Sequence, residues 1–414
     1  FYLADRAPDT GSIYGQSVPP LIGTYILTPE LGLVPRGVSL AQTRQLVAWL
    51  PEDALPSELD TPVATFAEII SAPEPVDGLP DELRVSDRTS ISADGRYLVL
   101  EDSELELPVF WDRDEELARR MVSGVGDVSW VADAPVAIVS ASVSRQDPTS
   151  RLTLFGEVPG SESFSYGNQR WDPAGIGEDE SRRYAVPLVS PDGTMTSFFV
   201  VDDDGTTELW ITGWQQETRR VASWSAPRDA LLTVPPVAAW IDDTLLFTEP
   251  IDWDDGLPGR SVLTRVRWDD AEGDPVIEQL TELDGRGSDR GVAIVDLLPS
   301  PDGDEIAYRM RHYTQRAADR GRRDSIHVMS IQDATRSVEI ARGTPGDGIS
   351  WSPDGEWIVA GLERRVVLLS PDGTSLDFLT GDDDAAYYPL WISPDEIWFA
   401  MDGQERAIWR VFVQ

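Results

Sequence analysis

The sequence predicts an all-β protein built from repeated sheets, and three observations carry this prediction. Residues 348–381 contain short runs in which apolar and polar positions alternate, and Pro-Asp-Gly turns separate these runs. Similar stretches return along the chain at intervals of roughly 40 to 60 residues, the range that is typical of propellers and solenoids. One sheet of this kind cannot bury both of its faces, so each copy needs neighbours on either side.

The repeats predict a seven-bladed β-propeller, because the strands follow one another without helical segments between them. The units near residues 127 and 237 lack the Pro-Asp-Gly turn, so six or eight blades remain open alternatives. The seven units begin near Thr89, Asp127, Tyr184, Val237, Val295, Gly348 and Tyr388.

The order of the repeats also predicts how the ring closes. The last unit ends at Gln414 after its third strand, which would leave one sheet edge unpaired. We expect residues 21–35, which have the pattern of one or two short strands, to complete that last blade. Residues 1–20 are then an N-terminal arm or linker, and residues 38–82 form a long connection. The propeller spans residues 21–414 as a single domain.

A Ser-Pro-Asp-Gly turn marks several repeats. It occurs at residues 190–193, 300–303 and 352–355, with variants at residues 92–95 and 393–395. These turns resemble the WD40-like repeats of TolB-type β-propellers, and the resemblance covers about three quarters of the chain. It implies that each turn joins the innermost strand of a blade to the second strand, and that its Asp and Gly are structural. The resemblance concerns the fold and leaves the function open.

Four tryptophans occupy equivalent positions on the predicted innermost strands, just before the turn that follows each strand. Such a placement predicts a ring of core tryptophans rather than a binding surface. The four residues are Trp130, Trp240, Trp351 and Trp391.

The composition excludes several classes of partner. The chain has 414 residues, and 73 acidic against 34 basic residues give a formal net charge of −39. Such a charge repels phosphate, so we expect neither nucleic acid nor an anionic membrane surface as a partner. Lysine and cysteine are both missing, which excludes disulfides and thiolate metal ligands. No apolar run approaches the roughly 20 residues of a membrane helix.

We expect the protein to act outside the cytoplasm, as a periplasmic, cell-surface or secreted domain. The sequence begins at Phe1 without an initiator Met, which favours an upstream signal or membrane anchor. The lack of cysteine is compatible with any compartment.

Long insertions indicate where a partner binds. In a meandering four-strand blade, the connection from the second to the third strand and the connection to the next blade leave the same face of the disc. The insertions at residues 38–82 and 159–183 lead to the next blade, and those at residues 249–260 and 312–324 join a second to a third strand. Because loops on a rigid scaffold commonly carry function, we expect the binding site on this face.

The candidate binding residues come from a basic cluster at residues 309–323, an acidic loop at residues 252–255 and two tryptophans. Arg presents a planar fork of donors, so the basic cluster would suit a carboxylate or phosphate group. An alternative is that the cluster neutralises the acidic loop. Tryptophans in polar insertions would suit a peptide or sugar. The candidates are Arg311, His312, Tyr313, Arg316, Arg320, Arg322, Arg323, Trp171, Trp253, Asp252, Asp254 and Asp255.

The sequence contains no strong catalytic motif. Neither a G-x-S-x-G elbow nor an H-E-x-x-H motif occurs, so the catalytic residues are unknown. His327 lies in the middle of a strand and is expected in the core or on the outer face, whereas His312 borders the basic cluster and is the better candidate for catalysis. We expect no cofactor and assign no metal ligand. Calcium stays open, because acidic residues 202–204, 252–255 and 382–384 offer oxygen ligands, although without EF-hand spacing.

The sequence favours a non-catalytic propeller scaffold that binds a protein or peptide, or that acts as a sensor. The alternative is a carbohydrate-active hydrolase or lyase that uses acidic loop residues, with calcium as an option. A deep pocket with two or more carboxylates of perturbed pKa would favour the enzyme, and a flat face with an aromatic rim would favour the binding module.

Overall fold

The structure is a computed structural model in which all regular elements of the described residues are β-strands. No helix in this part of the chain is long and apolar enough to span a membrane. The all-β prediction is confirmed. The described residues are 25–28, 32–35, 71–80, 82–86, 89–92, 95–103, 108–120, 125–130, 136–144, 147–156, 169–170, 183–202, 204–213, 218–227, 234, 236–254, 256–268, 275–284, 291–313, 322–333, 337–381, 385–401 and 408–413.

Three short strands precede the large sheets. The first two pair with each other as a hairpin, and the third joins the last sheet of the chain. They are β1 (Tyr25–Thr28), β2 (Gly32–Pro35) and β3 (Glu74–Pro75).

The remaining strands form seven antiparallel sheets, which we number blade 1 to blade 7 in chain order within the described residues. Blade 1 contains β4 (Leu83–Arg84), β5 (Ser90–Ile91), β6 (Tyr97–Asp102), β7 (Pro108–Asp112) and β8 (Leu117–Arg120). Blade 2 contains β9 (Val125–Trp130), β10 (Val136–Ser144), β11 (Asp147–Gly156) and β12 (Gln169–Arg170). Blade 3 contains β13 (Arg183–Val189), β14 (Met195–Val201), β15 (Thr206–Gly213) and β16 (Arg219–Ser225).

Blades 4 to 6 repeat the same up-and-down order, and blade 7 has three strands of its own. Blade 4 contains β17 (Ala238–Ile241), β18 (Thr244–Asp254), β19 (Leu257–Trp268) and β20 (Pro275–Asp284). Blade 5 contains β21 (Gly291–Pro299), β22 (Glu305–Tyr313), β23 (Arg322–Ser330) and β24 (Ser337–Gly343). Blade 6 contains β25 (Pro345–Trp351), β26 (Ile358–Leu362), β27 (Arg365–Leu369) and β28 (Leu376–Phe378). Blade 7 contains β29 (Ala386–Ser393), β30 (Glu396–Met401) and β31 (Ile408–Phe412).

The Ser-Pro-Asp-Gly turns join the first and second strands of their blades, as the resemblance implied. Ser352 donates a hydrogen bond to Asp354 (2.5 Å) and accepts one from the backbone N–H of Trp357 (2.9 Å). The turns at residues 190–193 and 300–303 make equivalent bonds. The glycine of each turn has a positive φ, which only glycine adopts without strain. The Asp and Gly of these turns are therefore structural.

The blades pack side by side in a closed cycle. Hydrophobic clusters that contain residues of two neighbouring blades join blades 3 and 4, 4 and 5, 5 and 6, and 6 and 7. A further cluster of this kind joins blade 7 to blade 1. Tyr97 of blade 1 stacks on Trp130 of blade 2, with 6.1 Å between ring centroids. Ser129 of blade 2 accepts a hydrogen bond from the backbone N–H of Val189 of blade 3 (3.0 Å). These contacts make the chain a β-propeller.

The four predicted core tryptophans lie on innermost strands, and three of them bond to the preceding blade. Trp240 Nε1 donates to the carbonyl oxygen of Leu188 (3.1 Å), and Trp351 Nε1 donates to that of Leu298 (3.1 Å). Trp130 Nε1 donates to a serine hydroxyl of blade 1 (3.1 Å). Trp391 is equally buried, but its Nε1 lacks a hydrogen-bond partner in the described structure.

An N-terminal strand closes the last blade, but its position corrects our expectation. Residues 21–35 were expected there, whereas β1 and β2 within this range pair with each other. β3 fills the place instead, with Glu74 opposite Arg410 and Pro75 opposite Trp409. The physical reason is local pairing, since β1 and β2 satisfy each other's backbone groups without a distant partner.

Candidate functional site

The predicted acidic and basic segments lie on the same face of neighbouring blades. β18 ends at Asp254 and β19 begins at Leu257 in blade 4, while β22 ends at Tyr313 and β23 begins at Arg322 in blade 5. Both connections run from a second to a third strand, so both leave the same end of the sheets. We call this end the upper face.

The hairpin of β18 and β19 extends beyond the innermost strand of blade 4, and its tip also extends beyond β20, which ends opposite Arg260. The innermost strand β17 begins at Ala238, opposite Phe247, but β18 continues for seven more residues to Asp254. The tip of the hairpin leans on blade 5, because a Cβ atom on Gly291 would lie 2.5 Å from the carbonyl oxygen of Pro258. Only glycine permits this approach.

Trp253 and Tyr313, two of the predicted binding residues, meet in one small apolar cluster. Tyr313 is buried with Leu257, and Trp253 packs against this cluster while remaining partly exposed. The cluster also contains Val234, Ala293 and Val295. Trp253 therefore anchors the hairpin to blade 5, and its Nε1 has no hydrogen-bond partner within the described residues.

The acidic residues of the hairpin pair within their own blade. Arg260 donates through Nε to Asp252 Oδ2 (2.5 Å) and also contacts Glu282. These contacts raise the pKa of the Arg260 guanidinium, with the hydrogen bond to Asp252 as the largest cause. Asp254 is exposed beside them. In the described residues, Asp252 is thus neutralised by Arg260 and not by the basic cluster.

Arg311 is committed to a buried ion pair. Its Nε and a terminal nitrogen donate to the two oxygens of Asp324, each at 3.0 Å. Burial lowers the pKa of Arg311, but the hydrogen bonds to Asp324 outweigh this effect, so the pKa is raised overall. The side chain of Asp324 is 0 % exposed and that of Arg311 is 14 % exposed. The guanidinium of Arg311, which we expected to bind a ligand, is therefore bonded to Asp324 inside blade 5.

His312 also points into the protein. Its Nε2 shares the Ser325 hydroxyl with Nε2 of His327, at 2.8 Å in both cases. Nδ1 of His327 lies 3.4 Å from the hydroxyl of Ser337, which is 2.7 Å from the hydroxyl of Tyr308. His312 is buried in this chain, and His327 lies in the core as expected.

The structure describes only some of the other predicted binding residues. Arg323 has an exposed side chain at the start of β23, and the backbone of Arg322 pairs with Tyr313. Four candidates lie outside the described residues: Trp171, Asp255, Arg316 and Arg320.

Asp296 and Arg309 are polar residues that our sequence analysis did not select. Asp296 lies on β21, the innermost strand of blade 5, and its Oδ2 is 2.5 Å from Arg309. Burial raises the pKa of the Asp296 carboxyl, although the charges of Arg309 and Arg311 act in the opposite direction. The available signal was an Asp in the middle of an otherwise apolar strand, Gly291–Pro299.

Metal ligands do not converge in the described residues, where no group of three or more His, Asp or Glu side chains could hold an ion. Of the acidic turns considered for calcium, Asp204 caps its own turn by accepting from the backbone N–H of Thr206 (2.8 Å). Residues 382–384 lie outside the described residues.

Comparisons with known proteins identify the fold. No protein-family model matches the chain, and no curated protein matches it. An oligogalacturonate lyase in complex with manganese has a similar structure, with a TM-score of 0.52, 10% identity and coverage of 81% of this chain and 92% of that one. The Cps50 (Swd1) β-propeller domain of Myceliophteria thermophila has a TM-score of 0.48, 11% identity and coverage of 84% and 98%. TolB from Acinetobacter baumannii has a TM-score of 0.42, 16% identity and coverage of 77% and 69%. The closed cycle of sheets in the chain itself shows the β-propeller fold expected from its resemblance to TolB-type repeats.

Proposed function

We propose that this protein is a non-catalytic binding module that holds a protein or peptide on the upper face of blades 4 and 5. One observation carries the proposal: the tip of the β18–β19 hairpin extends beyond the other strands of blade 4 and is fixed to blade 5 through the cluster of Trp253 and Tyr313. A fixed projection loses little conformational entropy when a partner binds, which favours affinity.

The charge of the hairpin supports a basic partner. Asp252 has a side chain that is 56 % exposed, Asp254 is exposed, and Asp284 stands at the end of the neighbouring strand with 67 % exposure. Arg260 is the cation among them. The whole chain carries a formal charge of −39, so a cationic peptide is drawn to it over long range.

The half-buried ring of Trp253 supplies the apolar part of this surface. Its indole contacts the cluster below and keeps part of its surface accessible. An aromatic ring surrounded by charged residues is a common centre of protein interfaces.

The extracytoplasmic location is part of the same proposal. A module that recognises a peptide by a fixed acidic face needs no cofactor and no thiol, which suits an oxidising compartment as well as a reducing one. Fractionation of cells that express the full-length protein, with a cytoplasmic marker as control, tests the location.

A peptide array with equal lengths and graded net charge tests the binding function. We expect binding to rise with positive charge and to weaken with added salt, because exposed charges are screened. The double variant Asp252→Asn and Asp254→Asn should reduce binding of the cationic peptides, since Asn keeps the shape and removes the charge. Glu356→Gln, an exposed change at the opposite face, is the control. Equal binding by both variants would refute the proposed surface.

A second candidate function is a carbohydrate-active hydrolase or lyase, and Asp296 is the observation that favours it. A carboxyl whose pKa is raised by burial keeps its proton to a higher pH than an exposed carboxyl does, which is a property of general acids. Release of products from a panel of polysaccharides, lost in Asp296→Asn, would support the enzyme. The acidic loop residue Asp252, which pairs with Arg260, is a poor candidate for this role.

A further inference from the structure

β20, the outermost strand of blade 4, has one edge that no other strand of the described residues covers. It pairs with β19 alone. Its ten residues make it the longest outermost strand in the described part of the chain. None of the ten is buried, whereas the outermost strands β16 and β24 both contain buried residues. In an antiparallel edge strand every second residue turns its backbone N–H and carbonyl groups away from the sheet. β20 therefore offers backbone donors and acceptors to an added strand.

A register shift divides β20 into two parts. The shift lies between Leu263 and Thr264 of β19, where Leu280 of β20 has no residue opposite it. Residues 281–284 form the upper part, which reaches the upper face of blade 4, and residues 275–279 form the lower part. The pairing with β19 is regular on both sides of Leu280. Each part is therefore a straight segment along which a further strand can lie.

The upper part of β20 is acidic. Arg260 contacts the carboxylates of Asp252, Glu282 and Asp284. One guanidinium thus faces three carboxylates, which leaves an excess of negative charge among these four side chains. The side chains of Glu282 and Asp284 stay 35 % and 67 % exposed despite these contacts. They point to the same side of the strand, because they are two residues apart. Cationic side chains of an added strand would be attracted here.

The lower part of β20 is apolar and carries no excess of negative charge. Val276 and Ile277 are 45 % and 50 % exposed, unlike most large apolar side chains of the described residues. The next residue, Glu278, contacts two guanidinium groups, those of Arg265 and Arg267. Because successive residues of a strand point to opposite sides, the two apolar side chains stand on both sides of the edge. Apolar side chains of an added strand would cover them.

The sheet itself favours one direction for an added strand. All paired strands of blade 4 are antiparallel, and antiparallel pairing is slightly more stable than parallel pairing. β20 runs from its lower to its upper part, so an antiparallel neighbour runs from the upper to the lower part. The N-terminal half of such a neighbour lies beside Glu282 and Asp284, and its C-terminal half lies beside Val276 and Ile277. A peptide that matches this edge is basic in its first half and apolar in its second half.

We propose that an extended peptide, basic in its N-terminal half and apolar in its C-terminal half, binds along β20 as a fifth strand of blade 4. This inference rests on the proposed recognition of a cationic peptide at the upper face, and it adds the mode and the direction of binding. Backbone hydrogen bonds to β20 hold the peptide, and the two parts of the edge select the order of its residues. A second copy of the chain is a poor occupant, because it brings the same carboxylates and a formal charge of −39.

Calorimetric titration of the full chain tests the direction with two peptides of ten residues, the length of β20. One peptide has arginines in its first half and valines in its second half, separated by threonines, and the other has the same sequence reversed. We expect the basic-first peptide to bind about tenfold more tightly, since only its order matches both parts of the edge.

Methylation of the peptide's backbone nitrogens tests the hydrogen bonds of the added strand. The basic-first peptide is prepared in two forms, methylated at the odd-numbered or at the even-numbered residues. Because only every second N–H of an added strand faces β20, one form should lose binding and the other should retain it. Recognition by charge alone would make the two forms equal.

A protein variant tests the lower part of the edge. Val276→Thr combined with Ile277→Thr keeps residues that favour a strand and removes exposed apolar surface, so the affinity for the basic-first peptide should fall about fivefold. Val338→Thr is the matched control, because Val338 is 47 % exposed on β24, the outermost strand of blade 5. Its replacement should leave binding unchanged, and melting temperatures should show that both variants are folded.

Strand addition and recognition by charge are separable in these measurements. Equal binding of the two residue orders, with equal binding of the two methylated forms, would overturn strand addition and leave the proposed recognition of cationic peptides intact. Binding of neither peptide would contradict both. A dimer of the full chain that the substitutions at Val276 and Ile277 dissociate would assign the edge to a second copy and would also overturn the inference.

Discussion

Arg311 and Asp324 face each other across β22 and β23 and form two parallel hydrogen bonds of 3.0 Å. Arg309 approaches the same carboxylate at 3.7 Å. An arginine that we expected to bind a ligand thus belongs to the interior of blade 5, where it compensates a fully buried charge.

Removal of Arg311 should be strongly destabilising. In Arg311→Ala the carboxylate of Asp324 stays buried and keeps only the more distant Arg309, so we expect a loss of about 3 to 5 kcal/mol in the free energy of unfolding. Urea denaturation measures it. Arg342→Ala, which breaks the exposed pair with Glu339 in the same blade, is the control and should cost less than about 1 kcal/mol. Equal losses would contradict the buried-pair interpretation.

The core tryptophans provide a matched test of single hydrogen bonds. Trp240 donates from Nε1 to Leu188 and Ser197 of blade 3, whereas Nε1 of the equally buried Trp391 lacks a partner in the described structure. Trp240→Phe should therefore cost about 1 to 2 kcal/mol more than Trp391→Phe, since both lose the same apolar area. Thermal unfolding of the two variants gives the difference. A greater loss in Trp391→Phe would show that its donor is bonded after all.

The serine of the turn motif should matter where it bonds to the backbone. Ser352 accepts from the backbone N–H of Trp357, whereas Ser393 is described with a bond only to the carboxylate of Asp395. We expect Ser352→Ala to lose about 1 to 3 kcal/mol, because a buried backbone donor is left without its partner. Ser393→Ala, at a more exposed turn, should lose less. Chemical denaturation measures both, and the reverse order would contradict this account of the motif.

Glu249 should make stability depend on pH in a defined direction. Burial raises the pKa of its carboxyl in the folded protein, so between the unfolded and folded pKa values the folded state binds more protons. Its contribution to stability is present at low pH and is lost as pH rises through the folded pKa. Glu249→Gln should therefore gain stability relative to the parent protein as pH rises from about 4 to about 7.

Denaturation midpoints at several pH values measure this gain, and Glu356→Gln, an exposed glutamate, serves as the control. A difference between Glu249→Gln and the parent protein that stays constant with pH would show that the carboxyl is not perturbed by folding.

Local patterns predicted most of the fold. The turns at residues 190–193, 300–303 and 352–355 and the tryptophans of the innermost strands follow from short-range chemistry, and the structure places them as expected. Ring closure depends on which distant strand pairs with β31, and no local pattern encodes that choice. The sequence therefore predicted closure by an N-terminal strand but placed it at residues 21–35 and not at Glu74–Pro75.

The candidate site was harder to predict, because its pairs depend on register. Asp324 is thirteen residues from Arg311 in the chain and meets it only because β22 and β23 pair in one particular register. Arg260 meets Asp252 in the same way, because β18 and β19 pair in one particular register. Trp253 and Tyr313 could be predicted to share a face, because both lie in connections from a second to a third strand. That they meet in one cluster also depends on how far the β18–β19 hairpin extends beyond β17.

The most direct test of the proposed function is hydrogen–deuterium exchange of the full chain with and without the best cationic peptide from the array. If the upper face of blades 4 and 5 binds the peptide, amide exchange should slow at residues 249–260 and at the start of β23, while the turn at residues 352–355 on the opposite face should be unaffected. Protection confined to the opposite face, or to the outer strands, would contradict the proposal.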